Sequence, residues 1–382
     1  MPTSQHIPYQ LILFDMDGVL LEPRGYHTAL QTSVKHIGQA LGVPQTELTE
    51  DQIARFEALN ITNEWDSVAI CAAIILIHVW QFDPHLRLDV IEPCPCFISD
   101  RKPNFDSFLK LFPDGGDIPG ETAYAFLLDH HPWLNEDHRA HLWTILSQCR
   151  DIYQSLTLPS PQENVLGSVT FHDHYCLPPR FETHSFLSKY DRPLMSDQQD
   201  ILLKEWLKLP HHKAGILTNR PSRTPDGYLS SPEAELGMTL IGLEDLPYIG
   251  SGVLAWFAVN NCQLPDHALL KPNPVHALTL LQRCLGHPLK TSLTRAVSLW
   301  QGQADKQDWQ LLDNAKIVVF EDTVKGLQSI KAACELLEAL GIHVDCRLVG
   351  VGKNPIKLAA LDTISHFNIE CINQVQWTDI FL

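Results

Sequence analysis

The run Leu11-Ile12-Leu13-Phe14 ends in Asp15-Met16-Asp17-Gly18 and resumes as Val19-Leu20-Leu21. A short apolar run bounded by glycine predicts a buried strand. Two carboxylates then emerge at its C-terminal end, where open α/β sheets place their sites. Strand alternation predicts that Asp15 and Asp17 point roughly the same way, with Met16 opposed. Like charges that close repel, and such a pair calls for a cation or a shared proton. Gly18 lets the chain turn sharply away. Taken alone, Asp-x-Asp-Gly also suits a surface turn or a calcium loop. A calcium loop needs further acidic or Asn residues, and Val19-Leu20-Leu21 supplies none.

Three more short apolar runs end in polar or glycine residues: Ala214–Leu217, Ile317–Phe320 and Arg347–Val351. Helical patterns follow the strand-like runs, as in a parallel doubly wound sheet. Leu327, Ile330, Leu336 and Leu337 share one face of a helix predicted over Thr323–Leu340, and Gln198–Leu209 predicts the helix feeding the second strand. Between the first and second strands the pattern is different. Gly25–Leu41, Thr49–Leu59, Glu64–Trp80 and Asn135–Leu156 read as helices, separated by proline-containing loops around 92–103, 113–119 and 158–163. Residues 22–200 are therefore expected to form a mostly helical domain inserted into an α/β domain made of 1–21 and 201–382. Two further insertions are expected, near 221–268 and 287–314, as lids or extra small elements.

The length of 382 residues suits two or three domains. A net charge of −17 argues against a nucleic-acid or anionic-membrane surface. It leaves anionic small substrates open, because a bound cation inverts the local field. The ten cysteines include no CxxC pair, and Cys94-Pro95-Cys96 is the only close spacing. Free thiols in a reducing compartment are expected. The first ten residues lack a basic region followed by an apolar one, so no signal peptide is visible and a cytoplasmic location is expected. Val68–Trp80 is too short to span a bilayer and reads as a buried helix.

Three later segments carry chemistry. Thr218-Asn219-Arg220 follows the second strand, where a hydroxyl and free backbone N–H groups can hold a phosphoryl oxygen or simply cap a helix. In Lys271-Pro272-Asn273-Pro274, the prolines fix the chain before a helix predicted over Val275–Cys284. Lys271 suits a solvated lysine at a helix start, but a cation there is mildly unfavourable, which makes an anionic partner attractive. Ile317-Val318-Val319-Phe320 runs into Glu321-Asp322-Thr323, a second acidic pair at a strand end. Such hard oxygen ligands suit Mg²⁺, and they equally suit a helix dipole.

In combination and order, these segments resemble the haloacid dehalogenase superfamily of phosphohydrolases. Asp15-Met16-Asp17-Gly18-Val19-Leu20 resembles the first motif, Ile216-Leu217-Thr218-Asn219 the second and Lys271-Pro272-Asn273-Pro274 the third. Phe320-Glu321-Asp322-Thr323-Val324-Lys325-Gly326 resembles the fourth, in the form seen in the β-phosphoglucomutase-like branch. The resemblance implies a Rossmann-like α/β core with a helical cap. It also implies Mg²⁺-dependent hydrolysis of a small phosphorylated metabolite through an aspartyl-phosphate. Asp15 is then the nucleophile and Asp17 the general acid and base. Thr218, the Asn219 backbone and Lys271 would stabilise the phosphoryl oxygens. Mg²⁺ would be held by Asp15, the backbone carbonyl of Asp17 and Asp322, with Glu321 assisting. Dehalogenases of this kind lack the second carboxylate, so Asp17 favours phosphoryl transfer.

The chain departs from the branch in having Thr323 where Ser is usual, and in an inserted domain far larger than a four-helix cap. Substrate and oligomeric state are not readable. A sugar-phosphate mutase and a non-catalytic binding protein on the same fold remain alternatives. Arg24 and His27 follow the first motif closely and are candidates to face substrate. His130-His131, His172-Asp173-His174, His211-His212 and His138-x-x-His141 are expected to be surface or interface groups rather than a second metal site. Trp65, Trp80 and Trp256 are expected in the core.

Overall fold

The computed structural model describes residues 7–381 apart from 60, 62, 90, 92–97, 114, 117, 226–229 and 378–379. Cys94 and Cys96, and part of the turn-rich stretch after Pro225, lie outside the described residues. The chain divides into two compact units, residues 1–23 with 191–382, and residues 24–190.

The first unit is built on a six-stranded parallel sheet. Its strands are β1 (Gln10–Asp15), β4 (His212–Leu217), β5 (Tyr248–Ile249), β6 (Ala315–Glu321), β7 (Val344–Val351) and β8 (Phe367–Ile369). Two short strands, β2 (Leu21–Glu22) and β3 (Arg192–Pro193), form a separate antiparallel ribbon. The sheet order is β5-β4-β1-β6-β7-β8. The chain thus starts at β1, winds outward to β5, then returns to wind outward from β6, as in doubly wound folds. The reversal falls between β1 and β6, which pair from Gln10 opposite Lys316 to Phe14 opposite Phe320. Ligand crevices in such sheets open beyond the strands' carboxyl ends at this reversal.

Alternation along the strands makes two buried faces. Leu11 and Leu13 of β1 join Ile317 and Val319 of β6 in one core cluster, with Leu278, Leu281, Leu327 and Ile330. Ile12 and Phe14 join Val318 and Phe320 in the other, with Leu203, Trp206, Met238 and Trp377. The helices over 324–339 and 274–284 cover the first face. Their apolar residues recur at helical spacing and reach the sheet together.

The two expected insertions are part of this layering. The stretch 221–268 supplies a helix at Glu233–Ile241, the edge strand β5 and a helix at Ser251–Phe257. The stretch 287–314 supplies a helix at Leu289–Trp300, and its Leu293, Ala296, Trp309 and Leu312 are buried in the first-face cluster. β5 and β8 escape sequence reading because two or three residues carry no usable period.

The second unit is helical, with its own core. The helix at Glu64–Val79 is buried on nearly every side, which explains its unbroken apolar stretch. Its one fully buried acid, Asp66, is gripped by Arg150 at 2.9 and 3.3 Å and approached by the Cys149 thiol at 3.4 Å. That contact accounts for a correction. The helix predicted over Asn135–Leu156 stops at Ser147, and the chain turns to bring Cys149 and Arg150 onto Asp66. A second correction concerns 158–163, where Pro159–Leu166 is a helix with Pro159 in its first turn. The return to the first unit falls at Asp191, earlier than the expected residue 201, because β3 pairs with β2 and Asp191 itself is buried there.

Among the described residues no helix is long and apolar enough to cross a membrane. The paired histidines have structural partners. His138 stacks on Trp80 at 4.3 Å and donates to the Pro84 carbonyl, while His141 accepts from the Leu88 amide. His212 donates to the Trp206 carbonyl and His130 to that of Phe126. Trp80 and Trp256 are buried.

Candidate active site

β1, β4 and β6 are neighbours, so the segments that follow them emerge side by side at one end of the sheet. Asp15 is the last residue of β1 and Glu321 the last of β6. Asp322 follows at once, and Thr218 lies just past β4. Lys271 reaches the same place from the loop before the helix Pro274–Cys284, whose start is capped by the Asn273 side chain. The Ser329 hydroxyl donates to the Asn273 carbonyl at 2.7 Å and ties this loop to the helix Val324–Ala339.

Carboxylate oxygens of Asp15, Glu321 and Asp322 lie within 4.8 Å of one another, and all three residues are buried. Lys271 Nζ bridges two of them, donating to Asp15 Oδ1 at 2.6 Å and Glu321 Oε2 at 2.7 Å, and to the Leu217 carbonyl at 3.2 Å. The other oxygen of Glu321 accepts from the Thr323 amide and hydroxyl, at 3.1 and 2.7 Å. Lys357 donates to Asp322 Oδ2.

Three buried carboxylates therefore face two lysines. The surplus negative charge falls on the acids. Burial, then the charge of Glu321, pushes the Asp15 carboxyl well above its ordinary range, against the pull of Lys271. Burial raises Asp322 to about 6 even though Lys357 opposes it. Burial also works against a charge on Lys271, but Asp15 and Glu321 outweigh it and hold the ammonium above its usual value. His276, fully buried on the next helix, is driven down to about 3 by burial and then by Lys271, and stays neutral. Its Nε2 donates to the Ile249 carbonyl.

The donor set fits a hard divalent cation. Every candidate ligand is oxygen, and two glycines leave room for the carboxylates that would supply them. At Gly18, a Cβ would fall 2.1 Å from Asp322 Oδ2, and φ is +78°. Glycine is required there twice over. Gly326 plays the same part under Glu321, where a Cβ would lie 1.9 Å from the carboxylate.

Asp15 and Asp17 do not behave as one pair facing one cation. Past the end of β1 the strand alternation no longer holds, and the Asp17 carboxylate is taken by Arg220. The guanidinium Nε meets Oδ1 and Oδ2 at 3.0 and 2.9 Å, and Nη2 meets Oδ1 at 2.5 Å. Arg220 Nη2 also meets Asp191 Oδ2 at 2.7 Å. The Asp17 side chain is thus outside the carboxylate cluster. The Thr218 hydroxyl is buried and accepts from the Arg220 amide at 3.1 Å, which leaves its hydrogen free to donate. Asn219 is exposed.

Arg24 and His27 belong to the helical unit. His27 contacts Glu50 and Glu57, each at 3.1 Å. Its bond to Glu57 is the main cause that raises its pKa to about 9, so the imidazole is a cation committed to two acids. Arg220, Asp191 and Lys357 were not foreseen as site residues. Arg220 stood within the quoted Thr-Asn-Arg segment, but nothing in the sequence marks its partners.

No family model and no curated protein sequence matches the chain. Solved structures do. An X-ray structure determined as Northeast Structural Genomics Consortium target ZR25 superposes with a TM-score of 0.63 at 16% identity, over 96% of this chain and 97% of that one. Phosphatase Tt82 from Thermococcus thioreducens gives a TM-score of 0.44 at 17% identity, over 89% and 93% of the two chains. YfnB from Bacillus subtilis, described as a HAD-hydrolase bound to magnesium, gives 0.35 at 12% identity, over 96% and 97%. The last two superpose too loosely to add to the comparison, and the first speaks to fold alone. What the first likeness supports is the fold, a doubly wound sheet at one end of which the four motif segments converge.

Proposed function

We propose that the protein is a Mg²⁺-dependent phosphatase that hydrolyses a small phosphorylated metabolite through an aspartyl-phosphate. One observation carries this reading: buried Asp15, Glu321 and Asp322 converge within 4.8 Å, with Lys271 bridging the first two. Asp15, Asp322 and the backbone carbonyl of Asp17 would hold the cation, with Glu321 supporting it. Held there, Mg²⁺ would lower the repulsion between the Asp15 carboxylate and a phosphate.

The remaining chemistry belongs to the chain. Asp15 attacks phosphorus, and the bond to the leaving oxygen breaks. Asp17 gives its proton to that oxygen as the acid. Water then attacks the phosphoryl group, its proton passes to Asp17, and the bond to Asp15 breaks to release inorganic phosphate. Lys271 and the Thr218 hydroxyl stabilise the transferring oxygens. The substrate class rests on the resemblance and on the acidic overall charge, which disfavours polyanionic macromolecules.

Phosphate release from p-nitrophenyl phosphate and a panel of phosphorylated metabolites, with and without Mg²⁺, tests the reading. The wild type should release phosphate only with Mg²⁺, and folded Asp15→Asn should release none. Turnover near the wild-type rate by that variant would remove the mechanism.

A further inference from the structure

The clamp on Asp17 is unequal in its parts. The side chains of Arg220 and Asp191 are 1% and 0% exposed, whereas that of Asp17 is 31% exposed. The Arg220 backbone is fixed as well. Its amide donates to Thr218 Oγ1 at 3.1 Å and its carbonyl accepts from the Ser251 amide at 2.9 Å. Gly237 packs against it, and a Cβ there would lie 3.3 Å from Nη1. One fixed, buried cation is therefore shared by two carboxylates, of which only Asp17 is free to reach solvent.

Resting on the phosphatase reading above, we propose that Arg220 and Asp191 form a releasable latch for Asp17. In the latched state Asp17 faces the guanidinium and is turned away from any leaving oxygen. Turnover requires it to swing off. Departure would ordinarily strand a buried guanidinium, which is strongly destabilising. Asp191 removes that obstacle, since Arg220 keeps a buried carboxylate partner after Asp17 has gone. Arg220 and Asp191 are positioning residues in this scheme, and they act on the acid–base step alone.

The latch predicts opposite effects from two variants. Asp191→Asn takes one competing carboxylate from Arg220 and tightens its hold on Asp17. Arg220→Lys keeps a cation but loses the planar fork that grips both Asp17 oxygens, and so loosens it. The readout is single-turnover phosphorylation of Asp15 with Mg²⁺, using an alkyl phosphate beside p-nitrophenyl phosphate. The alkyl leaving group needs a proton and p-nitrophenolate does not. Asp191→Asn should slow the alkyl ester by about tenfold and leave the aryl ester near the wild-type rate, with KM little changed. Arg220→Lys should raise the alkyl rate. Circular dichroism checks that each variant is folded, and either folded variant decides the question alone. Equal changes for both esters, or a fall on the alkyl ester with Arg220→Lys, would overturn the latch while leaving the phosphatase intact. A wild type that releases no phosphate from either ester removes the phosphatase reading, and the latch with it.

Discussion

Gly18 sits where two demands meet. Its φ of +78° disfavours any side chain, and the space its Cβ would need is filled by the Asp322 carboxylate 2.1 Å away. Gly18→Ala should therefore cost about 1–3 kcal/mol in urea unfolding and also weaken Mg²⁺ binding, measured by calorimetry. The second loss separates this glycine from one needed only for a turn, since displacement of Asp322 spoils the acid cluster directly. A variant that loses stability but binds Mg²⁺ like the wild type would show that Asp322 is not a ligand. At this scale the sequence disclosed much. Asp15, Glu321, Asp322 and Lys271 each stand at a strand end or helix start that pattern alone could place. It hid the cations that complete the site. Lys357 is 35 residues from Asp322, and Arg220 is 203 from Asp17. Nothing in local spacing joins such pairs; only the folded sheet does.

Elements carry the same residues in a second capacity. Thr323 is the N-cap of the helix Val324–Ala339, its hydroxyl accepting from the Gly326 amide at 3.1 Å. The same hydroxyl donates to Glu321 at 2.7 Å. Cap and site are thus one contact network. Thr323→Ala should cost about 1 kcal/mol of stability in urea unfolding and lower turnover as well, because Glu321 loses a donor. Thr323→Ser keeps the hydroxyl and should be close to wild type in both. Equal activity in the alanine and serine variants would show that Glu321 does not need this support. Helices marked by an apolar stretch or by helical spacing were legible to within a residue or two, as with Glu64–Val79 and Asp197–Leu207. Those that failed have physical reasons. The helix from Glu136 ends early because buried Asp66 draws Arg150, a long-range pairing that helical spacing cannot register. The segment 287–314 read as an addition because its apolar residues face a sheet the local pattern does not reveal.

For the molecule as a whole, the acid cluster sets stability against function. Asp322 has its pKa raised from 3.8 to about 6, and Asp15 is raised as well. A carboxyl whose folded value lies above its unfolded value stabilises the fold while protonated. That contribution is complete below about pH 3.8 and is lost as pH rises through about 6. Near neutral pH the metal-free protein therefore carries an ionised, buried Asp322. A divalent cation binds only the ionised form, so its affinity should rise over the same interval. The melting temperature in saturating Mg²⁺ minus that in chelator should be small at pH 5 and larger at pH 7.5. In Asp322→Asn the difference should be reduced at both values and its pH dependence flattened. Because each comparison is made at fixed pH, titration of the histidines elsewhere cancels to first order. A Mg²⁺ effect that is the same at both pH values in the wild type would show that binding does not draw on these titrating acids. It would move the cation away from Asp15 and Asp322.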